Sequence, residues 1–404
     1  MSGSPIVVLD IGTAKVLCVV GEQQPDDKLK ILGMGSSPCR GLRRSSIIDM
    51  PKVVDSIAAA VTEAGRSTGL KITGAYMGMA GESVSVHTSH STVAISGTST
   101  PIDDNDMQRG LVATEQAMPA GNAIVLHRFI QSYAVDGEYV QNPLWLHGNK
   151  LEIETLSILA ARQSCTTLQR AAEEAGVEIA GFIHETVAAA SALISPDERE
   201  MGVALLDIGA GTSDLAIFHG QLRHLAEIPF GGDDLTKDLS VVLSTSPREA
   251  EQLKQLHGYV CGRPEGADQN IAFKTTAGRP HSISHHQLKE IIEARQQEIF
   301  EFVRQELERN RYGKKLAAGL ILTGGGAMLE NIAQLGEEVL GVPVRLGSVQ
   351  EMLAAPGMED PQYAAAIGLI RFALDEEAHE AAMAPAPQSG KKFLDKLARI
   401  FSFM

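Results

Sequence analysis

Four cysteines in 404 residues, Cys18, Cys39, Cys165 and Cys261, stand far apart and share neither metal-ligand nor redox spacing. That scarcity leaves no disulfide framework and no thiolate zinc site, so free thiols in a reducing compartment are the expectation. His281, His285 and His286 cluster without Cys or carboxylate partners at metal spacing and read as a capped loop. Basic residues are also few: 35 Lys and Arg against 50 Asp and Glu give a formal net charge of -15. This balance excludes a broad nucleic-acid surface, because neutralising phosphates takes clustered cations. No run is apolar for long enough to cross a bilayer. The N-terminus enters a strand at once, with no charged segment ahead of a long apolar one, and no signal peptide is expected. What remains is an ordinary 44% apolar composition over a length that predicts more than one domain.

Against that plain background one phrase is written twice. Val7-Val8-Leu9-Asp10-Ile11-Gly12-Thr13 and Leu205-Leu206-Asp207-Ile208-Gly209-Ala210-Gly211-Thr212 each run from apolar residues into Asp-Ile-Gly, 197 positions apart. The apolar run predicts a buried strand. The Asp stands where a Mg²⁺-bound water can be held, and the Gly lets backbone N–H groups approach an anion. A single Asp-x-Gly is a common turn; its repetition after matching strands predicts two related halves whose turns face each other across a phosphate.

Returning strands are expected at Val16–Val20 and Leu215–Phe218, a third strand near Leu29–Gly35, a helix over Met50–Thr68 and a strand at Ala75–Ala80. From Val84 to about Arg162 the texture changes to short β-prone runs around one helix near Asp104–Met118, which predicts an inserted α+β subdomain. A helix is expected over Thr166–Gly176, a strand at Ile179–Ile183 and an Ala-rich helix at Val187–Leu193. Ser195–Glu198 reads as the boundary between halves. Ser284 and Gln287 have capping-box spacing and open a long helix to about Asn310. Ala318–Thr323 is a buried strand run ending in Gly324-Gly325-Gly326. Asp375–Gln388, acids followed by Ala and Pro, reads as a flexible linker.

The paired turns, the Thr323-Gly324-Gly325-Gly326 turn and Tyr363–Gly368 together resemble the actin, Hsp70 and sugar-kinase nucleotide-binding superfamily. The resemblance implies an α/β, actin-like (ribonuclease-H-like) duplicated two-domain ATPase fold that takes ATP and Mg²⁺. By the same resemblance Asp10, Gly12 and Thr13 with Asp207, Gly209, Gly211 and Thr212 hold the phosphates, and Asp10 and Asp207 hold Mg²⁺ through water. Lys15 reaches a phosphate, Glu251 and Lys254 contact ribose and adenine, and Gly324, Gly325 and Gly326 face the adenosine. Glu185 is the one carboxylate nominated to orient water, and Asp214 and Asp233 to tune the Mg²⁺ environment. On spacing alone Lys15 fits a solvated strand lysine, and Glu251 and Lys254 fit an ordinary i,i+3 surface pair.

Within the superfamily the opening Ile6–Val16, the insertion after Gly78-Met79-Ala80-Gly81 and the C-terminal tail resemble the FtsA family of bacterial cell-division proteins. That resemblance implies subdomain 1A over 1–84 with 163–195 and 360–375, and the insert, 1C, over 85–162. It implies 2A over 196–232 with 311–359, 2B over 233–310, a linker over 376–390 and a membrane-targeting helix over 391–404. In the last segment Phe393, Leu394, Leu397, Ile400, Phe401 and Met404 share one helical face and Lys391, Lys392, Lys396 and Arg399 the other. Such a helix is too short to span and lies in the interface of anionic lipid, or docks on its own protein. The family implies self-association into filaments at the cytoplasmic face of the inner membrane at the division site. It implies tethering of FtsZ through its C-terminal peptide beside Arg295 and Arg304, recruitment of later division proteins through 1C, no nucleic-acid partner, and at most slow hydrolysis with nucleotide as a switch. The alternatives are a superfamily ATPase or small-molecule kinase, and the pilus-assembly adaptor PilM.

Overall fold

Two sheets with one topology carry the repeated phrase. The computed structural model describes residues 5–24, 28–95, 100–118, 121–262, 270–313, 315–349 and 358–383. In the first half, β1 (Ile6–Ile11) turns into β2 (Lys15–Gln23) and then β3 (Leu29–Pro38). A small hairpin, β4 (Leu42–Arg43) and β5 (Ser46–Ile47), leads into α1 (Met50–Thr68) and β6 (Gly74–Met79). Helix α1 is set by local chemistry: the Asp49 side chain accepts from Lys52 N, Pro51 sits in the first turn, and Gly69 closes the end at φ 72°. Its Val53, Ile57, Ala60 and Ala64 stripe is buried.

The insert follows as β7 (Val84–Ala94), α2 (Asp104–Gln116), β8 (Ala123–Val135), β9 (Glu138–Val140) and β10 (Lys150–Ala161), a sheet of order β7-β10-β8-β9. It has its own small core of Ile95, Ile102, Leu111, Tyr133, Val135, Leu151 and Ile153. The chain returns through α3 (Arg162–Glu174), β11 (Glu178–His184) and α4 (Glu185–Leu193).

After α5 (Pro196–Met201) the pattern repeats: β12 (Val203–Ile208), β13 (Ser213–His219) and β14 (Gln221–Ile228). Next come α6 (Gly232–Val242), α7 (Pro247–His257), the pair β15 (Asn270–Lys274) and β16 (Pro280–Ser284), and α8 (His285–Arg309), opened by the Ser284–Gln287 capping box. The last elements are β17 (Leu320–Thr323), α9 (Ile332–Leu340), β18 (Val344–Leu346) and α10 (Ala364–Met383).

The two large sheets read β3-β2-β1-β6-β11 and β14-β13-β12-β17-β18, antiparallel through the hairpins and parallel beyond. Register repeats too: Asp10 lies opposite Leu17, and Asp207 opposite Asp214. Each turn is closed by the same bond, Gly12 N to Lys15 O at 3.0 Å and Gly209 N to Thr212 O at 2.9 Å. The duplication is therefore one of tertiary structure.

Between the sheets α4 and α10 cross in contact, both Ala-rich at the contact. A Cβ on Gly368 would lie 2.1 Å from the Ala188 carbonyl oxygen and 2.8 Å from Ala189 N. Arg345 and Arg371 donate to the Leu193 and Ser191 carbonyls at the C-terminus of α4, at 3.0 and 2.8 Å, where the helix dipole favours cations.

Two expectations change. Residues 376–383 continue α10 as helix, not linker: Ala and Glu are strong helix formers, and the packed turns at Ile367, Ile370 and Ala373 have already nucleated the helix. The Ser195–Glu198 boundary is itself helical, α5 opening with a Ser195–Glu198 capping box. The rest of the expected linker and the amphipathic segment 391–404 lie outside the described residues.

Candidate functional site

The paired turns converge where the β1–β2 and β12–β13 hairpins meet. A Cβ on Gly211 would stand 2.7 Å from Thr13 Oγ1, so the turns are in contact across the two halves. Gly12 and Gly209 pack on the carbonyls of Lys15 and Thr212, a Cβ on either falling at 3.3 and 3.0 Å. Behind the turns a cavity of about 90 Å³ is lined by Thr13, Ser45, Glu185, Asp207, Thr212 and Asp214, among others. At roughly 10–15 Å³ of such volume per water it has room for several waters or a phosphoryl group.

Four carboxylates gather here, Asp214 buried and Asp10, Glu185 and Asp207 partly so. Burial pushes Asp10 up to about 6, with Lys15 opposing, and Asp207 up to about 7, with Asp10 adding and Lys15 opposing. Asp214 is pushed up to about 8 by burial and then by Asp207 and Glu227, against a hydrogen bond from the Gly81 N–H. Glu185 is raised well above the ordinary range by burial and by Asp10, Asp207 and Asp214. Such a cluster calls for a cation. Among the described residues no three His, Cys, Asp or Glu groups converge to ligate a metal directly. Asp10 and Asp207 are the residues that would hold a Mg²⁺ here, through water, and the ion would supply the positive charge this cluster lacks.

Glu185 is held by what precedes it. His184 caps α4 by accepting from Val187 N, and its own N–H donates to His127 Nε2 of the insert at 2.9 Å. Burial holds both imidazoles neutral, each pulled down to about 3. The Glu185 carboxyl then lies over Gly78, where a Cβ would meet Oε1 at 2.6 Å.

Lys15 does not point into solvent. Its ammonium donates to Gln362 Oε1 at 2.7 Å and lies 4.7 Å from the Tyr363 ring centroid, while burial lowers its pKa against the pull of Asp10, Asp360 and Asp207. Thr323 Oγ1 and Gly324 N donate to the Pro361 carbonyl at 2.9 and 3.3 Å, so the Gly-rich turn and Lys15 are tied to one segment. Gly324 sits at φ +84°, and a Cβ there would lie 2.2 Å from Asp207 Oδ1; Gly326 presses on Ile208, and Gly325 meets nothing within 4 Å.

Glu251 and Lys254 pair against the start of α6, beside the second turn. Gly232 N and Asp233 N donate to the Gly209 and Ala210 carbonyls at 2.9 and 2.8 Å, anchoring the start of α6 on the second turn. Lys254 Nζ donates to the Gly232 carbonyl at 3.0 Å and Thr236 Oγ1 at 2.8 Å and pairs with Glu251 at 2.7 Å.

Arg295 and Arg304 are not brought together. They are nine residues apart on α8, about two and a half turns, and so face opposite sides. Arg295 forks onto Asp238 at 2.6 and 3.0 Å, contacts Glu298 and covers the Phe230 ring, while Arg304 pairs with Glu301 on its own helix. Gln362, Thr236 and the Arg44–Ser45 tip were not legible as site residues, since none belongs to a repeated phrase.

Asp214 carries a pH prediction. A carboxyl raised from 3.8 to about 8 makes the folded state hold more protons than the unfolded one through that window. Stability falls as pH rises through it, and the cost is complete above about 8. Asp214→Asn keeps an acceptor for Gly81 and removes the charge. Without added Mg²⁺ or nucleotide it is expected to stabilise the fold by about 2 kcal/mol at pH 8.5 and by much less at pH 5. Thermal denaturation at the two pH values decides; an equal shift at both counts against the buried charge.

A family model described as "Cell division protein FtsA" matches residues 204–368, and one described as "SHS2 domain inserted in FTSA" matches residues 81–159. The chain is 34% identical over 392 residues to the cell division protein FtsA of Pseudomonas aeruginosa, covering 96% of this chain and 94% of that one. Among solved structures, the PilM–PilN type IV pilus biogenesis complex is similar with TM-score 0.66 at 17% identity, covering 90% of this chain and 97% of that one. MreB5 of Spiroplasma citri bound to ADP is similar with TM-score 0.57 at 16% identity, over 94% and 99% of the two chains. The MamK double helical filament gives TM-score 0.54 at 12% identity, over 92% and 98%. The structural likenesses establish the actin-like fold and leave PilM as a shared architecture. With a third of its residues matching a division protein along nearly its whole length, and the family's own insert between β6 and α3, the chain belongs to the FtsA family of cell-division proteins.

Proposed function

We propose that this chain is an ATP-dependent membrane adaptor of the division ring. The observation that carries the reading is the meeting of the two Asp-Ile-Gly turns across the halves, Thr13 against Gly211, beside four mutually coupled carboxylates. Bound Mg²⁺ and triphosphate would supply the cation that relieves these charges, and the Gly12, Gly209 and Gly211 turns, lacking Cβ atoms, leave the phosphates room to approach the backbone. Asp10 and Asp207 hold the hydrated ion, Lys15 neutralises phosphate charge, and Glu251 with Lys254 and the Gly324–Gly326 turn frame the nucleoside. The halves close on the nucleotide along the α4–α10 contact, and closed subunits assemble on the cytoplasmic face of the inner membrane. MreB5 bound to ADP and the MamK filament, which share the fold, support nucleotide-linked assembly.

Lys391–Met404 holds the assembly on anionic lipid; one short helix binds reversibly, so many linked copies are needed. FtsZ is tethered through its C-terminal peptide on the α8 side. Arg304 is the better placed of the two candidates there: it is the more exposed and pairs only with Glu301 of its own helix, whereas Arg295 forks onto Asp238 of α6. The insert serves later division proteins. Burial and the neighbouring Asp10, Asp207 and Asp214 raise the Glu185 carboxyl well above the ordinary range; we assign it at most to orienting water, with nucleotide acting mainly as a switch and hydrolysis slow.

Cosedimentation with anionic vesicles, with and without ATP and an FtsZ C-terminal peptide, tests the reading. Full-length protein is expected in the pellet, increasingly with ATP, carrying the peptide with it. Deleting Lys391–Met404 is expected to leave the protein in the supernatant. Unchanged pelleting of the truncated chain would sink the tether, and rapid ATP turnover without lipid or peptide binding would favour an enzyme.

A further inference from the structure

The β4–β5 hairpin belongs to the first half, yet its tip lies on the second. Arg44 and Ser45 occupy the two loop positions at φ 44° and 62°, a left-handed pair that hairpins ordinarily fill with Asn-Gly. Holding two such residues there costs free energy that the surrounding contacts offset. Those contacts are the cleft itself. A Cβ on Gly211 would lie 3.3 Å from the Arg44 backbone, and one on Gly81 2.3 Å from Ser45 Oγ. Ser45 lines the same cavity as Thr13, Asp207 and Thr212.

The Arg44 side chain is about a third exposed and makes one long contact, Nη2 to Asp234 Oδ1 at 3.4 Å. The other Asp234 oxygen accepts from Gly231 N at 3.1 Å, so the carboxylate is fixed while the guanidinium keeps donors to spare. Glu227, half-buried with its Oε1 lacking a partner, is raised by burial and then by Glu82, with Arg44 opposing. Two cations thus flank the paired turns: Lys15, coupled to Asp10 and Asp207 and tied to Gln362, and Arg44, its backbone beside Gly211 and its side chain loosely tied to Asp234.

We propose that the Arg44–Ser45 tip distinguishes a nucleoside triphosphate from a diphosphate, Arg44 exchanging Asp234 for the terminal phosphate in the chamber behind the paired turns. This inference rests on the ATP reading above. Its chemistry is ordinary: guanidinium binds phosphate by paired, charge-assisted bonds that a weakly held carboxylate contact does not match. Because the tip bridges the halves, reading the terminal phosphate also fastens the closed cleft.

Equilibrium binding of fluorescent ATP and ADP analogues to the full chain tests it. Arg44→Ala is expected to lose about 10- to 100-fold in ATP affinity and less than about 3-fold in ADP affinity, with Arg44→Lys between. Asp234→Asn, which keeps the acceptor for Gly231, is expected to bind ATP more tightly and ADP unchanged. An equal loss for both nucleotides in Arg44→Ala, or no loss, overturns the proposal. So does weakening in Asp234→Asn, which would make the pair a structural clip. Binding of neither nucleotide by the unsubstituted protein overturns the ATP reading and this inference with it, a distinct outcome.

Discussion

Gly368→Ala is expected to destabilise the protein by about 3 kcal/mol or more, or to prevent soluble folding. The added methyl group meets the Ala188–Ala189 peptide of α4 head-on, its oxygen at 2.1 Å, its carbon at 2.3 Å and its nitrogen at 2.8 Å. No side-chain rotation relieves that contact; α4 and α10 must move apart. Separation strips contacts from Ala188, Ala189, Ile367 and Leu369, all fully buried, and tightly packed interiors do not absorb such a shift. Denaturant titration of the variant measures the loss. An unchanged midpoint would show that the crossing helices spread at no cost, and with it that their close approach is not what couples the halves.

Gly324→Ala and Gly325→Ala should behave as opposites although the residues are neighbours. Gly324 holds φ +84° with Asp207 Oδ1 2.2 Å and the Ile208 oxygen 2.5 Å from where a Cβ would sit, so alanine there pays the left-handed penalty and displaces the carboxylate assigned to Mg²⁺. The expected result is a loss of about 2 to 4 kcal/mol in stability and about 100-fold or more in Mg²⁺-dependent ATP affinity. Gly325 has nothing within 4 Å, and its variant should melt with the parent. If the turn faces adenosine as proposed, Gly325→Ala still weakens nucleotide binding by steric contact. Calorimetric titration of both variants with ATP checks this; equal behaviour would mean that the turn does not bear on Asp207.

How much of this was legible depended on how local its cause is. The α1 limits follow from Asp49, Pro51 and Gly69, and the α8 start from Ser284 and Gln287, all contacts within one turn of helix. The hairpins after Asp10 and Asp207 are equally local, and repetition supplied what a single short motif lacks. Residues 376–383 were misread because acid-rich composition resembles disorder when considered alone, whereas a helix already packed at Ile370 and Ala373 needs only to propagate.

Long-range partners had no such signal. Arg295 lies 57 positions from Asp238, Lys15 is 347 from Gln362, and Arg44 is 190 from Asp234. Helical periodicity is silent about partners at those separations. The sequence by itself determined two related halves, the strand-and-turn frame of each, the insert and the chemical kind of the cleft. These depend on patterns of burial, caps and glycines within a few residues. The tertiary structure decided which charges already have partners, that α4 and α10 meet where only glycine fits, and that a basic hairpin from one half rests on the second Asp-Ile-Gly turn. Those facts depend on where two sheets come to lie in space, which no run of neighbouring residues encodes.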